Sequence, residues 1–389
     1  MRLLFISNNF PPVVDGVGDY TFHLANEFAR NGHEVCVLCS AKEEINEFVA
    51  AHELPYQVYP QIPGWGLKGC MKAYRRIRKV APDWVVLQYV PYGFGKYGIN
   101  FYLPLFLSFI LLGKIRLLVH FHEFAFSADI GVKKRILSRT QKFQSQLIAK
   151  MAHQLSVSNK AIKQANHTLL KKAIVIPSGS NVLCHSPAPR WTLKKPQLMT
   201  ISSFGAGLKY ADQMIRVIEE LKIKIPALDV HLVLIGKVEV LTYSGHRPTV
   251  SITGYADAYQ VARTLSQSDI FLLPMEVKKN GWGGISTKSG SLAAALAHQL
   301  PVITTKGKMT DEAIFQHEEN IYLVPFDWDN IRDAIETLYR DQELRKRISV
   351  GAGELYEKHF SWSSISEKYL KRMSDEQTIS SNHQLQHLG

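Results

Sequence analysis

Cysteine is scarce in this chain, with only Cys36, Cys39, Cys70 and Cys184 among 389 residues. So few thiols build no disulfide framework and point to a reducing compartment. Cys36 and Cys39 have CxxC spacing but fall in an expected strand, where residues three apart face opposite ways, so no redox pair is expected. Long apolar runs are also missing. The longest, residues 101–112, contains Pro104 and falls short of the roughly 20 residues a membrane span needs. A buried helix is expected there, with a membrane-dipping segment as the alternative. Near the start only residues 3–6 are continuously apolar, too short for the core of a secretory signal, so a cytoplasmic location is expected. Two nucleotide motifs are absent as well. There is no GxxxxGK[ST] loop, and Gly16-Val17-Gly18 lacks the third glycine of the dinucleotide fingerprint, which disfavours NTP hydrolysis and nicotinamide chemistry.

Acidic residues are thin in one half. Residues 1–190 carry 23 Lys+Arg against 11 Asp+Glu, and residues 191–389 carry 23 of each, so the whole excess of +12 is N-terminal. It is concentrated in residues 68–79, 133–139 and 171–172. A run of cations reads either as a solvated helix face or as a docking surface for anionic lipid headgroups, where each basic residue adds ~1 kcal/mol. A peripheral position on the inner face of the plasma membrane follows from the second reading. No recognition module for nucleic acid is visible, and none is expected as a partner.

What is present is a regular alternation of strand and helix. Residues 3–6 form a short apolar run, as expected of a parallel strand covered on both faces. Pro11 and Pro12 then deny helix, while Gly16 and Gly18 let the backbone approach a ligand. Asp19 is placed to cap a helix with Leu24, Ala25, Phe28 and Ala29 on one face, and Gly32 stands where a left-handed stop is wanted. That helix start suits a phosphate. A plain chain reversal is the other reading. Further strand-like runs occur at residues 35–38, 85–87, 117–121, 154–157 and 174–176, and again at 198–202, 230–235, 250–252, 270–273, 302–304 and 321–324. The pattern predicts an α/β chain of two doubly wound parallel-sheet domains facing across a cleft. The expected boundaries are 1–185 and 198–360, joined by a proline- and cation-rich linker at 186–197, with a final helix at 361–373 and a disordered tail at 374–389.

Three places in the second half carry candidate chemistry. After residues 198–202 comes FGAGLK, whose Lys209 starts a helix against the dipole; an anionic ligand would explain it, and a chance surface lysine is the alternative. After Pro274 a long loop holds Gly281, Gly283 and Gly284, read as flexible. Lys288, Ser289, Gly290 and Ser291 then open an alanine-lined helix that a ligand could approach closely. Asp327-Trp328-Asp329 reads as a helix cap rather than a metal site, and no metal or cofactor is expected.

The segment FISNNFPPVVDGVGDYTFHLANEFARNGHEV resembles the first strand, glycine loop and helix of retaining nucleotide-sugar glycosyltransferases of the GT-B fold, family four. The resemblance continues through LLVHFHE, VIPSGSNV, VLIGKV, ITGYADAYQVARTLSQSDIFLLP, LAAALAHQLPVITT and FSWSSISEKYL. It implies two Rossmann-like domains, with the donor's nucleotide on the second, the acceptor on the first, and the last helix crossing back. It further implies that the amides of Gly16, Val17 and Gly18 approach the donor diphosphate. His122 falls near the reacting sugar, and Tyr20, Tyr89, Tyr92 and Glu123 on the acceptor side. Lys209 matches the lysine that holds the diphosphate, and Tyr255 lies where the base is lodged.

Two departures stand out. The family's paired glutamates map to Ser286 and Ala294, and the arginine expected just before the diphosphate lysine is missing, with Phe204 the nearest residue. The segment KSGSL resembles a divergent subgroup, which makes Lys288 the candidate second cation, with Ser286, Ser289, Gly290 and Ser291 beside the donor. Glu276 is the carboxylate placed to substitute for the lost glutamates. The activity implied is transfer of a hexose from a nucleotide sugar to a polysaccharide or lipid-linked glycan, with His122, Lys209 and Lys288 as the catalytic set. A nucleotide-sugar epimerase or hydrolase of the same fold, or a non-catalytic GT-B partner subunit, are the alternatives.

Overall fold

The computed structural model describes residues 1–125, 131–182, 184, 198–238 and 249–386, with side chains as far as Ser374. The linker expected over 186–197 lies outside the described residues. The chain divides into two compact units, Met1–Pro177 together with Trp362–Gly389, and Ser178–Ser361. From sequence the first domain is expected to run to residue 185. Residues 178–182 instead belong to the second unit, where the Ser178 amide donates to Thr287 O at 2.9 Å and Val182 joins the core.

In the first unit seven parallel strands, β1 (Arg2–Ile6), β2 (Glu34–Ser40), β3 (Gln57–Ile62), β4 (Trp84–Tyr89), β5 (Arg116–Phe121), β6 (Gln154–Val157) and β7 (Ile174–Val175), lie in the order β3-β2-β1-β4-β5-β6-β7. The helices between them are α1 (Gly16–Arg30), α2 (Glu43–Ala51), α3 (Leu67–Val80), α4 (Pro91–Phe94), α5 (Tyr102–Leu112), α6 (Val132–Met151), α7 (Lys160–Ala165) and α8 (His167–Leu170). Because side chains alternate along a strand, β1 divides its apolar run between two cores: Leu4 and Ile6 pack with α3, α5 and α6, while Leu3 and Phe5 pack with α1 and α2. Both faces are covered, which is why the run is apolar without interruption.

The second unit repeats the plan with β8 (Met199–Phe204), β9 (Val230–Ile235), β10 (Val250–Ile252), β11 (Ile270–Leu273), β12 (Val302–Thr305) and β13 (Tyr322–Val324), all parallel, in the order β10-β9-β8-β11-β12-β13. Its helices are α9 (Ala211–Lys224), α10 (Ala258–Ser266), α11 (Gly290–Ala297), α12 (Trp328–Arg340) and α13 (Gln342–Leu355). Asp327 caps α12 as its spacing predicts, its carboxylate accepting from Asn330 N at 3.3 Å.

The last helix, α14 (Trp362–Gln386), belongs to the first unit, where Trp362, Ile365, Tyr369 and Met373 join the core beneath α1. It runs helical to Gln386, where a disordered tail is expected from Ser374. A second difference concerns α5. Its sequence predicts a buried helix, but only Leu103, Pro104, Phe106, Leu107 and Ile110 are buried, and the opposite face exposes Tyr102, Leu105, Phe109 and Leu112.

Candidate active site

In each sheet the strand order reverses direction once, between β1 and β4 in the first unit and between β8 and β11 in the second. Loops leaving the carboxyl ends of such strand pairs diverge and open a crevice, the usual ligand position in an open α/β sheet. Two candidate residues of the second unit, Lys209 and Glu276, meet there. Beyond β8 the chain turns through Gly205, at φ +68°, into a 3₁₀ segment, Gly205–Tyr210, that carries Lys209. Beyond β11 it reaches Glu276. The Lys209 ammonium and the Glu276 carboxylate meet at 2.7 Å, and that hydrogen bond raises the lysine's pKa above its ordinary value. Both side chains are more than half exposed, and such pairs are worth ~0–1 kcal/mol, so exchanging the carboxylate for another anion would cost little.

The loop that follows is pinned rather than flexible. Gly284 N donates to Glu276 O, Lys278 N to Trp282 O, Lys308 N to Gly281 O and Met309 N to Gly283 O, at 2.8–3.0 Å. A Cβ on Gly283 would lie 2.0 Å from Glu276 O, and one on Gly284 2.3 Å from Gly307 N, so these glycines are required by close backbone packing. The loop delivers the chain to Ser289, whose hydroxyl accepts from Leu292 N at 3.2 Å and caps α11. Ser291, in the first turn, stands against Gly205, where any Cβ would meet its Oγ at 2.1 Å. The β8 turn, Glu276 and the start of α11 are thus one assembly, with Gly290 open above it. Ser286 is buried, and Ala294 is fully enclosed in the core of α11, so the positions that resemble the paired glutamates are closed. Lys288 is half-buried beside the cap. Tyr255 stands exposed beyond β10, and Phe204 packs its ring on Phe271 at 5.5 Å.

In the first unit, Gly16, Val17 and Gly18 form the first turn of α1, and the cap is Asp15 rather than Asp19. Its carboxylate accepts from Val17 N at 3.4 Å and Gly18 N at 3.2 Å, so two amides expected to face a diphosphate are engaged by a side chain. A Cβ on Gly18 would crowd the backbone of Asn9 and Phe10 at 3.1–3.2 Å, whereas Gly16 is open.

Just beyond β5, His122 donates from Nε2 to Gln88 Oε1 at 2.8 Å, and Ser158 Oγ donates to its carbonyl at 3.0 Å. Tyr20 abuts it edge-on, with ring centroids 4.8 Å apart. His120, two residues earlier and therefore on the same face of the strand, stacks on Tyr20, pairs with Ser156 Oγ at 2.9 Å and has its Nε2 buried without a partner among the described residues. Burial pushes its pKa down to about 3, so the ring is neutral. The Tyr20 and Tyr369 hydroxyls lie 3.3 Å apart, tying α1 to α14 over this cluster. Tyr20 and Tyr89, expected at an acceptor, are buried; the Tyr89 hydroxyl accepts from Gln144 Nε2 at 3.0 Å. Tyr92 is half-exposed and Glu123 partly so. His120 carried a readable signal, its period-two spacing from His122, whereas Gln88, Ser156 and Tyr369 carried none.

Two family models cover most of the chain. That for glycosyltransferase family 4 matches residues 14–182, and that for group 1 glycosyl transferases matches residues 195–341. The chain is a GT-B glycosyltransferase. Solved structures share its fold along nearly the full length. A glycosyltransferase of Rickettsia africae ESF-5 has a TM-score of 0.66 at 14% identity, with 96% of this chain and 98% of that one covered. HepE of Anabaena, solved with UDP and glucose, has a TM-score of 0.64 at 14% identity over 96% and 99%. Sucrose-phosphate synthase of Thermosynechococcus elongatus has 0.64 at 14% over 98% and 100%. Comparison with curated protein sequences finds no match.

The Lys209 ammonium and the start of α11 belong to one assembly, and a helix start with unpaired first-turn amides suits an anion. Among the described residues no three His, Cys, Asp or Glu side chains gather as a metal site.

Proposed function

We propose that this glycosyltransferase is a retaining hexosyltransferase that moves a sugar from a nucleotide donor to a glycan or lipid-linked glycan. The observation that carries this reading is the Lys209–Glu276 pair set at the β8/β11 reversal beside the capped start of α11. Lys209 and Lys288 neutralise the leaving diphosphate, and the Glu276 carboxylate accepts from donor sugar hydroxyls. Tyr255 supplies a face for the base. The bond from the acceptor oxygen to C1 forms as the C1–phosphate bond breaks on the same face, and the acceptor proton passes to the departing phosphate. The chemistry relies on protein cations and amides without a resident metal. HepE has been solved with UDP and with UDP-glucose, which makes uridine the base to test first.

Thermal shift against UDP, GDP, ADP and dTDP tests donor binding. One of the four raises the melting temperature, by the equivalent of ~3 kcal/mol at a hundredfold excess over Kd. Mass spectrometry then detects hexose transfer to a lipid-linked acceptor from the matching donor, and Lys209→Ala and Lys288→Ala each lower kcat about 10²-fold. Absence of transfer from every common nucleotide sugar by folded protein overturns the proposal, and release of free sugar without acceptor redirects it to a hydrolase.

A further inference from the structure

The exposed face of α5 is chemically out of place. Tyr102, Leu105, Phe109 and Leu112 recur at helical spacing on its outer side, each about half exposed or more, and Phe101 precedes them at 70% exposure. A surface helix normally turns polar residues outward. Contiguous apolar exposure of this kind marks an interaction site.

Its neighbours are equally specific. α5 packs beside α3 and α6 over the same face of the sheet, with α3 and α6 in contact with it. On α3, Leu67 and Met71 line a groove against Tyr102, Leu105 and Phe109, with a volume of about 230 Å³. The adjacent stripe of that helix, Lys68, Lys72, Arg75 and Lys79, is exposed. On α6, Lys133, Lys134, Arg135, Arg139 and Lys142 are exposed, with Val132, Ile136 and Phe143 among them. None of the three helices contains an aspartate or glutamate. No helix among the described residues is long and apolar enough to cross a membrane.

We propose that this face docks on an anionic lipid bilayer. The aromatic and aliphatic side chains of α5 enter the boundary between headgroups and acyl chains, and the cations of α3 and α6 engage lipid phosphates on either side. Charge selects this occupant over a second copy of the chain, because two such faces would bring two acid-free, cation-rich surfaces together. The proposal stands on α3, α5 and α6 alone and is independent of the donor chemistry above.

The experiment is co-sedimentation of the full chain with vesicles of phosphatidylcholine, alone or with about one-third phosphatidylglycerol, at low and high salt. The expected result is partitioning onto the anionic vesicles at least tenfold above the neutral ones, weakened by salt. Leu105→Ser with Phe109→Ser lowers it at least tenfold, as does Lys68→Gln with Lys72→Gln and Arg75→Gln. These side chains are exposed, so an unchanged melting temperature verifies folding. No binding to anionic vesicles, or binding that the α5 double variant leaves intact, overturns the proposal. So does a dimer in gel filtration that the same variant dissociates, which would assign the face to a second copy. UDP-induced thermal shift is measured in parallel on the same variants, so loss of vesicle binding with retained nucleotide binding separates this surface from the donor site.

Discussion

One buried and one partly buried histidine make the first unit sensitive to acid. Burial holds His120 at about 3 and His23, whose ring stacks on Trp362, at about 4. Unfolded, each takes up a proton near the ordinary value of about 6.5. Between the folded and unfolded values the unfolded chain binds more protons, so stability falls as pH drops below about 6.5, by ~2 kcal/mol per histidine near pH 5. Urea unfolding across that range is expected to show the slope, and His120→Gln to flatten it; a slope indifferent to that substitution would remove His120 as its source. At this scale the sequence was partly legible. Lys209, Glu276 and His122 each announced themselves by position after a strand, but the ion pair between two of them depends on a loop pinned by Gly283 and Gly284, which their glycine content made look flexible. Tyr89 misled for a plain reason: a tyrosine ending an apolar strand reads as a rim residue until Gln144, 55 positions away, donates to its hydroxyl.

Among the elements, α1 depends on a residue outside the expected cap. Asp15→Ala removes the acceptor for Val17 N and Gly18 N and is expected to cost about 1 kcal/mol in chemical denaturation, whereas Asp19→Ala leaves the cap in place. Equal effects of the two would contradict the observed start of the helix. Twelve of the thirteen strands follow from apolar runs between turn residues, because both sheets are parallel and buried. The exception, β3, reads QVYPQI; it lies at the sheet edge, where Pro60 and alternating polarity are tolerated and the apolar signal is weakest. The exposed face of α5 was illegible for the opposite reason, since an all-apolar helix carries no period that separates its inner from its outer side.

At the scale of the molecule, the first unit is discontinuous, and its core is closed by residues from the far end of the chain. Trp362, Ile365, Tyr369 and Met373 bury roughly 2 kcal/mol each of apolar surface, together comparable to the stability of a whole domain. Deleting residues 362–389 is therefore expected to unfold or strongly destabilise the first unit alone. Hydrogen exchange should show β1, β4 and β5 losing protection while β8, β11 and β12 keep theirs; uniform protection in both units would refute the dependence.

The Tyr20–Tyr369 contact spans 349 positions. On a ribosome adding about 5–20 residues each second, Tyr20 emerges long before its partner has been made. The second unit, encoded wholly between residues 178 and 361, can complete its fold first, while the earlier-made sheet waits with its α1 face uncovered. Order of synthesis and order of completion are thus reversed, and the nascent first unit is the stretch most in need of chaperone cover.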